Sequence, residues 1–181
     1  MISRELAKEI SQQMVFELYS AYLYLGFAAA LEKMNLPGAA HWMKIQADEE
    51  LIHANGFYTY LTGQDAEVEL ETIQKPEMNA DTPLAVFTAA LKHEKLVSKR
   101  IDKLAELSVK EHSFATLVFL NVFVTEQVEE ERNVQVVIDK LSRIGDNQSA
   151  LLFIDAELAT RVLSPLALPA SAASTTPPPA L

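Results

Sequence analysis

The stretch Asn121–Leu141, NVFVTEQVEEERNVQVVIDKL, decides how the rest of the chain is interpreted. Val124, Val134 and Ile138 recur at helical spacing and predict a helix with one apolar stripe. Gln127 falls on that stripe, and four acidic residues surround it: Glu126, Glu129, Glu130 and Glu131. Buried charges are costly without a partner, so the stretch indicates either a solvated acidic face or a cation site in the core.

Composition indicates one helical domain in a chain of 181 residues, because apolar residues make up 49% and there are only five Gly. The absence of Cys excludes disulfides and thiolate-bound zinc or iron. A net charge of −10 argues against nucleic-acid binding and favours cations. The charged N-terminus does not resemble a signal peptide, and no stretch approaches the roughly 20 apolar residues of a membrane span. We therefore expect a soluble cytoplasmic protein with no membrane partner.

Four long helical stripes and a short fifth one follow each other along the chain. The first is expected to end near Asn35, the second near Gly63, and the third to begin at Thr82 and Pro83. The fourth follows a break at residues 110–113 and closes at Gly145. Residues 148–163 are expected to form the fifth helix, capped by Asn147 and ended by Pro165.

The lengths of the connections predict the topology. Short turns join the first helix to the second and the third to the fourth, so each pair is expected to be an antiparallel hairpin. Residues 66–82 lack a clear helical stripe and are long enough to cross the length of the bundle. Residues 1–164 are expected to form the domain, and the Pro-rich residues 165–181 a disordered tail.

Each long helix carries polar residues on its apolar stripe near its own midpoint. These residues are Glu17, Glu50, His53, Glu94, Gln127 and Glu130. Helix midpoints share one layer of a bundle, so the spacing predicts a single buried site. A lone Glu could be a solvated flank, a lone His a hydrogen-bonded core residue, and protonation could neutralise one or two acids. Four carboxylates without a Lys or Arg on the same stripes indicate a bound metal.

The donor set narrows the choice of metal. Carboxylates with one imidazole suit Fe(II), Mn(II) or, less selectively, Zn(II). Glu50 and His53 are three residues apart on one helical face and can bind the same ion. The four acids of the layer carry −4, which two divalent ions cancel. A second patch of acids adjoins this layer. Glu126 and Glu129 lie beside Glu130 on the fourth helix, and Glu49 directly precedes Glu50. The patch is either an additional metal site or a solvated acidic face.

The chain closely resembles the bacterial non-haem ferritins. The matching pieces are ELYSAYLYL around Glu17, QADEELIHA around Glu50, KHEKLVSKRI around Glu94, TEQVEEER around Gln127, and FIDAEL in the fifth helix. The resemblance implies an all-α, ferritin-like four-helix bundle with a long crossover and a short fifth helix. It also implies a homo-oligomeric cage of 24 subunits that oxidises Fe(II) with dioxygen or hydrogen peroxide and stores ferric mineral.

The same resemblance implies roles for individual residues. The first iron would be held by Glu17, Glu50 and His53, and the second by Glu50, Glu94 and Glu130. Gln127 and Tyr24 would belong to the surrounding shell. A third iron would lie on Glu49, Glu126, Glu129 and Glu130, while Glu131 is expected to face solvent or an Arg of a neighbour.

Departures from related families exclude some cofactors. Bacterioferritins carry a haem-binding Met where this chain has Leu51, so we expect no haem, and rubrerythrins need a Cys-rich module. An aromatic residue common near Val122 in relatives is missing. Two alternatives stay open: a di-iron oxidase or oxygenase acting on an organic substrate, and a bundle in which metal only stabilises folding.

Overall fold

Five helices in the predicted order make up most of the computed structural model, which describes residues 2–77, 80–164 and 166. They are α1 (Arg4–Lys33), α2 (Pro37–Gly63), α3 (Pro83–Lys110), α4 (Phe114–Ile144) and α5 (Gln148–Leu158). Within that part of the chain there is no strand. The predicted caps are confirmed, since the side chains of Thr82 and Asn147 accept from the backbone N–H groups of Ala85 and Ala150. The fold class is confirmed as an all-α bundle.

The fifth helix is shorter than predicted. It ends at Leu158, whereas the sequence pattern predicted a helix to residue 163. Residues 159–161 still donate to carbonyl groups of the preceding turn, and the segment then bonds to α2. His41 Nε2 donates to the carbonyl oxygen of Arg161 (2.9 Å), and the Ser164 N–H donates to Glu49 Oε1 (3.1 Å). The prediction for residues 165–181 lies outside the described residues, apart from Leu166, and the domain boundary stays a prediction.

The segment between α2 and α3 crosses the length of the bundle, as predicted. At its start, Val68 packs against the cluster of apolar residues that contains Leu61. At its far end, Ala80 packs against a different cluster that contains Leu36 and Phe87. Val68 and Ala80 therefore lie towards opposite ends of the bundle, and the two hairpins are joined by a crossover.

The core consists of two apolar clusters separated by a polar layer. The Trp42 cluster includes Tyr24, Phe27 and Leu31 of α1, Trp42 and Met43 of α2, Phe87 of α3, and Val134 and Leu141 of α4. The Phe57 cluster includes Leu6, Ile10 and Met14 of α1, Phe57 and Leu61 of α2, Val97 and Ile101 of α3, and Phe119 and Phe123 of α4. Each of the four long helices passes through both clusters, and its polar midpoint lies between them. The bundle thus brings the predicted polar residues together.

Helix α5 caps the beginning of α2. The N-cap residue of α2 is Leu36, whose side chain cannot accept a hydrogen bond. Asp155 of α5 supplies the missing acceptors, because its Oδ1 accepts from Ala39 N (2.8 Å) and its Oδ2 from Gly38 N (3.1 Å). Gly38 permits this approach, since a Cβ there would lie 1.8 Å from the Asp155 carbonyl oxygen. A carboxylate at a helix N-terminus also interacts favourably with the helix dipole.

One helix has the length and composition of a membrane span, contrary to the expectation from the sequence. An 18-residue window of α1 has a mean hydropathy of 1.4, and 56% of that window is buried inside the bundle. The buried face of α1 carries Glu17 and packs against α2 and α3. Packing of this face in the bundle accounts for the buried part of the window, while Tyr22 and Leu25 of α1 stay exposed.

Candidate metal centre

Three side chains from two helices converge in the polar layer. Glu17 of α1 meets Glu50 and His53 of α2, with one ligand atom from each lying within 4.8 Å of the others. All three residues are buried. His53 Nδ1 lies 3.3 Å from Glu50 Oε2, as expected for residues three apart on one helical face. These distances allow one ion to be held by all three.

Glu94 of α3 enters the same layer from the other hairpin. It is fully buried and accepts hydrogen bonds at both oxygens. Tyr24 donates to Oε1, and Gln127 Nε2 donates to Oε2 at 3.1 Å. Glu130, one turn after Gln127, accepts from Gln46 Nε2 at 2.8 Å. The six polar midpoint residues predicted from the sequence, together with Tyr24, are therefore neighbours in space.

The buried carboxyl groups hold their protons unusually tightly. Burial, reinforced by the charge of Glu50, raises the pKa of Glu17 to about 8. Burial is also the main cause that raises the pKa of Glu50 to about 7. The pKa of Glu94 rises to about 7, first because of burial and then because of repulsion from Glu130. A bound divalent cation would replace these protons, because metal ligands bind in their deprotonated form.

His53 is held between two carboxylates. Its Nδ1 faces Glu50, and its Nε2 lies 3.2 Å from Glu126 Oε2, close enough for an ion pair although not aligned for a hydrogen bond. Burial lowers the pKa of His53, but contacts with Glu126 and Glu50 outweigh it and raise the pKa well above its usual value. A carboxylate on the far nitrogen is the usual arrangement for a metal-binding histidine. Nδ1 is therefore the nitrogen that faces the cluster.

One carboxylate oxygen in the layer lacks a partner. Gln13 Nε2 donates to Glu17 Oε1 at 2.8 Å, but Glu17 Oε2 is buried without a hydrogen bond from any described residue. Buried polar atoms are nearly always satisfied in native proteins. The unpaired oxygen belongs to the group that converges with Glu50 and His53. Its environment fits a metal ion as the missing partner.

The second patch of acids lines a cavity next to this layer. Glu49, Glu126, Glu129 and Glu130, here called the acidic patch, share a cavity of 390 Å³ with Trp42 and Arg161. Glu129 is exposed and Glu49 is buried. Burial raises the pKa of Glu49, although Arg161 opposes the shift. Outside the patch, Glu131 accepts from Ser98 Oγ at 2.6 Å, a partner that the sequence did not indicate.

Comparison with known proteins agrees with this architecture. A family model described as a ferritin-like domain matches residues 7–144. The chain belongs to the ferritin family. It is 38% identical over 161 residues to a bacterial non-haem ferritin of Bacteroides fragilis, covering 89% of this chain and 100% of the relative. A bacterial non-haem ferritin of Staphylococcus aureus is 34% identical over 161 residues, covering 89% and 97%.

Solved ferritin structures share the fold. An open pore ferritin from the hyperthermophilic archaeon Archaeoglobus fulgidus superimposes with a TM-score of 0.88 at 39% identity, covering 90% of this chain and 100% of that one. A humanized archaeal ferritin superimposes with a TM-score of 0.89, also at 39% identity, covering 91% and 100%. The family and the fold together support iron storage.

Sequence reasoning missed several residues that support the centre of this ferritin. Gln13 lies four residues before Glu17 on the same helical face, a spacing that could have identified it, whereas Gln46 donates to Glu130 of another helix. Arg100 lies off the stripe, yet its Nε donates to Gln13 Oε1 at 2.7 Å and so acts on Glu17 indirectly. His93 bonds to Ser20 Oγ at 2.8 Å, and burial lowers its pKa to about 4. His93 is therefore neutral at physiological pH.

Arg161 is the other side chain that the stripe pattern could not reveal. It follows α5 and reaches the acidic patch of this ferritin across 112 positions of sequence. Its Nη2 donates to Glu49 Oε2 and lies 3.9 Å from Glu130 Oε1. The sequence expectation that no Lys or Arg shares the stripes is correct, but a cation still reaches the edge of the layer from outside them.

Proposed function

We propose that this ferritin stores iron by oxidising Fe(II) to Fe(III) at a buried di-iron ferroxidase centre. The oxidant is dioxygen or hydrogen peroxide, and the product is stored as ferric oxyhydroxide mineral. The observation that carries the proposal is the buried layer of carboxylates, in which Glu17 Oε2 has no partner among the described residues. Four ionised carboxylates in this layer would destabilise the fold, and two divalent ions that replace the protons would neutralise them.

Each residue of the layer has a defined role in the proposal. Glu17, Glu50 and His53 bind the first Fe(II); Glu50, Glu94 and Glu130 bind the second. Binding displaces the protons that burial holds on Glu17, Glu50 and Glu94. Two Fe(II) ions give up one electron each, and dioxygen takes both with two protons to form hydrogen peroxide. When hydrogen peroxide is the oxidant, it takes two electrons and two protons to form two molecules of water.

The surrounding residues orient the ligands. Gln127 and Tyr24 each donate to one oxygen of Glu94 and so fix the plane of its carboxylate. Glu126 faces Nε2 of His53 and leaves Nδ1 directed at the first iron. These contacts hold the ligands near their bound geometry before the metal arrives, so that little reorganisation accompanies oxidation.

Assembly into a cytoplasmic cage of 24 subunits is part of the proposal. Leu152 and Phe153 of α5 support subunit contacts, because their side chains are exposed while the opposite face of α5 packs on the bundle. A third iron bound at the acidic patch is proposed as well. It would connect the di-iron centre with the exposed side of Glu129.

The test combines assembly with oxidation kinetics. Size-exclusion chromatography after aerobic addition of Fe(II) should give a particle near 24 subunits that retains iron. Glu50→Ala and His53→Ala should assemble normally but oxidise Fe(II) much more slowly in stopped-flow absorbance. Glu106→Ala, which removes an exposed carboxylate of α3, is the matched control and should oxidise at the unaltered rate. A dimer that turns over no iron, or unchanged kinetics in both site variants, would contradict the proposal.

A further inference from the structure

Arg161 occupies the acidic patch with its own positive charge. Its side chain is only 14% exposed, and its Nη2 donates to Glu49 Oε2. The guanidinium carbon lies 3.9 Å above the ring centroid of Trp42, an arrangement in which the aromatic face attracts the cation. One side chain of this ferritin thus places a fixed cation among the carboxylates that would receive a third metal ion.

The backbone around Arg161 reinforces this position. Its carbonyl oxygen accepts from His41 Nε2, and the N–H of Ser164 donates to Glu49 Oε1. Both oxygens of Glu49 are therefore engaged by the segment that follows α5. A metal ion that binds Glu49 must compete with these two bonds and with the positive charge of the guanidinium.

The Arg161 guanidinium lies close to the di-iron layer without belonging to it. It is 3.9 Å from Glu130 Oε1, whose other oxygen accepts from Gln46. Glu17, Glu50 and His53 make no hydrogen bond or ion pair with Arg161, so the first ion can enter without disturbing it. The second ion would bind Glu130, and Arg161 would then keep its hydrogen bond to Glu49.

We propose that Arg161 is a resident counter-cation of the acidic patch, which a third metal ion must displace, so that the di-iron centre fills first. Arg161 acts as a specificity-determining residue for the order of filling. The proposal rests on the proposed function, because it assumes a di-iron centre beside the patch. An ordinary structural clamp between α2 and the segment after α5 would use the same contacts but would leave third-ion affinity unaltered when its charge is removed.

Trp42 provides a readout that is independent of oxidation. It is the only Trp of the chain, and Arg161 covers its ring. Zn(II) is a suitable probe because it has no redox chemistry and accepts oxygen and nitrogen ligands. Zn(II) would be titrated into the assembled, metal-free protein while calorimetry counts bound ions and fluorescence follows Trp42.

In the unaltered protein, the first two ions should leave Trp42 emission unchanged, and a weaker third ion should shift it as the guanidinium leaves the ring. Arg161→Gln removes the charge, so it should tighten the third ion at least about tenfold and abolish its effect on emission. Arg161→Lys keeps a charge and should retain the weak third ion. Arg143→Gln, an exposed substitution near the end of α4, is the matched control and should behave as the unaltered protein.

Three results would overturn the proposal. In the first, the third ion binds the unaltered and Arg161→Gln proteins with equal affinity. In the second, neither protein binds a third ion. In the third, Arg161→Lys binds the third ion as tightly as Arg161→Gln does. Each of these leaves the first two ions in place and so leaves the proposed function standing. If the unaltered protein did not bind the first two Zn(II) ions at all, that result would instead refute the proposed function itself.

Discussion

Replacing Glu17 by Gln should stabilise the metal-free protein at alkaline pH. Gln is nearly isosteric, its amide oxygen can accept from Gln13, and its amide nitrogen can donate towards Glu50. The substitution therefore removes a buried charge and satisfies the side that has no partner in the native layer. The same change should weaken binding of the first metal ion, so stability and function should move in opposite directions.

The magnitude follows from the shift in the pKa of Glu17 from 4.5 to about 8. The folded state binds this proton more tightly than the unfolded state does. The stability it contributes is complete below the unfolded pKa and is lost as pH rises through the folded pKa. At about 1.4 kcal/mol for each pKa unit, the loss between about pH 5.5 and about pH 8 amounts to about 3 kcal/mol. For a domain of this size, that corresponds to about 6–12 °C in the thermal midpoint.

Differential scanning calorimetry of the chelator-treated protein at the two pH values measures the effect. The midpoint of Glu17→Gln minus that of the unaltered protein should increase by about 6–12 °C between about pH 5.5 and about pH 8. Glu106→Gln, the same chemical change at an exposed site of α3, should show no such growth. Adding Zn(II) at alkaline pH should raise the midpoint of the unaltered protein more than that of the variant. Parallel pH profiles for Glu17→Gln and the unaltered protein would refute the reasoning.

Two further predictions concern the contact between α2 and α5, and both are read from thermal midpoints. Gly38→Ala should lower the midpoint sharply, because its Cβ would meet the Asp155 carbonyl oxygen at 1.8 Å; Gly63→Ala, which meets nothing within 4 Å, should not. Asp155→Asn should cost about 1–2 kcal/mol, since it removes the charge from a helix cap but retains one acceptor. A Gly38→Ala protein as stable as the Gly63→Ala protein, or an Asp155→Asn midpoint equal to that of the unaltered chain, would contradict these expectations.

The central layer could be predicted from the sequence because it depends only on local spacing. A polar residue at the midpoint of each stripe lies in the same layer whichever way the helix runs. Glu17, Glu50, Glu94 and Gln127 could therefore be grouped without knowledge of the packing angles. The crossover was predictable for a similar reason, since residues 66–82 are too long for a turn and lack an apolar stripe.

Contacts between residues far apart in sequence could not be predicted. The end of α5 at Leu158 depends on bonds from the following residues to His41 and Glu49, which compete with continuation of the helix. Helical periodicity favoured five more residues because it contains no information about such partners. The contact of Arg161 with α2 could not be predicted for the same reason, since nothing in the sequence around Arg161 indicates it. Gln46 faces Glu130 on another helix, so its role also depends on tertiary packing.

The cap on α2 has a consequence for synthesis on the ribosome. Asp155 follows Gly38 by 117 positions, so the start of α2 leaves the ribosome well before its acceptor exists. At about 5–20 residues per second, the wait is on the order of ten seconds. During that interval, water must solvate the N–H groups of Gly38 and Ala39, and the first turn of α2 frays. A nascent chain that stops before α5 keeps this end of α2 without its cap, so the first turn of α2 stays more open to local unfolding.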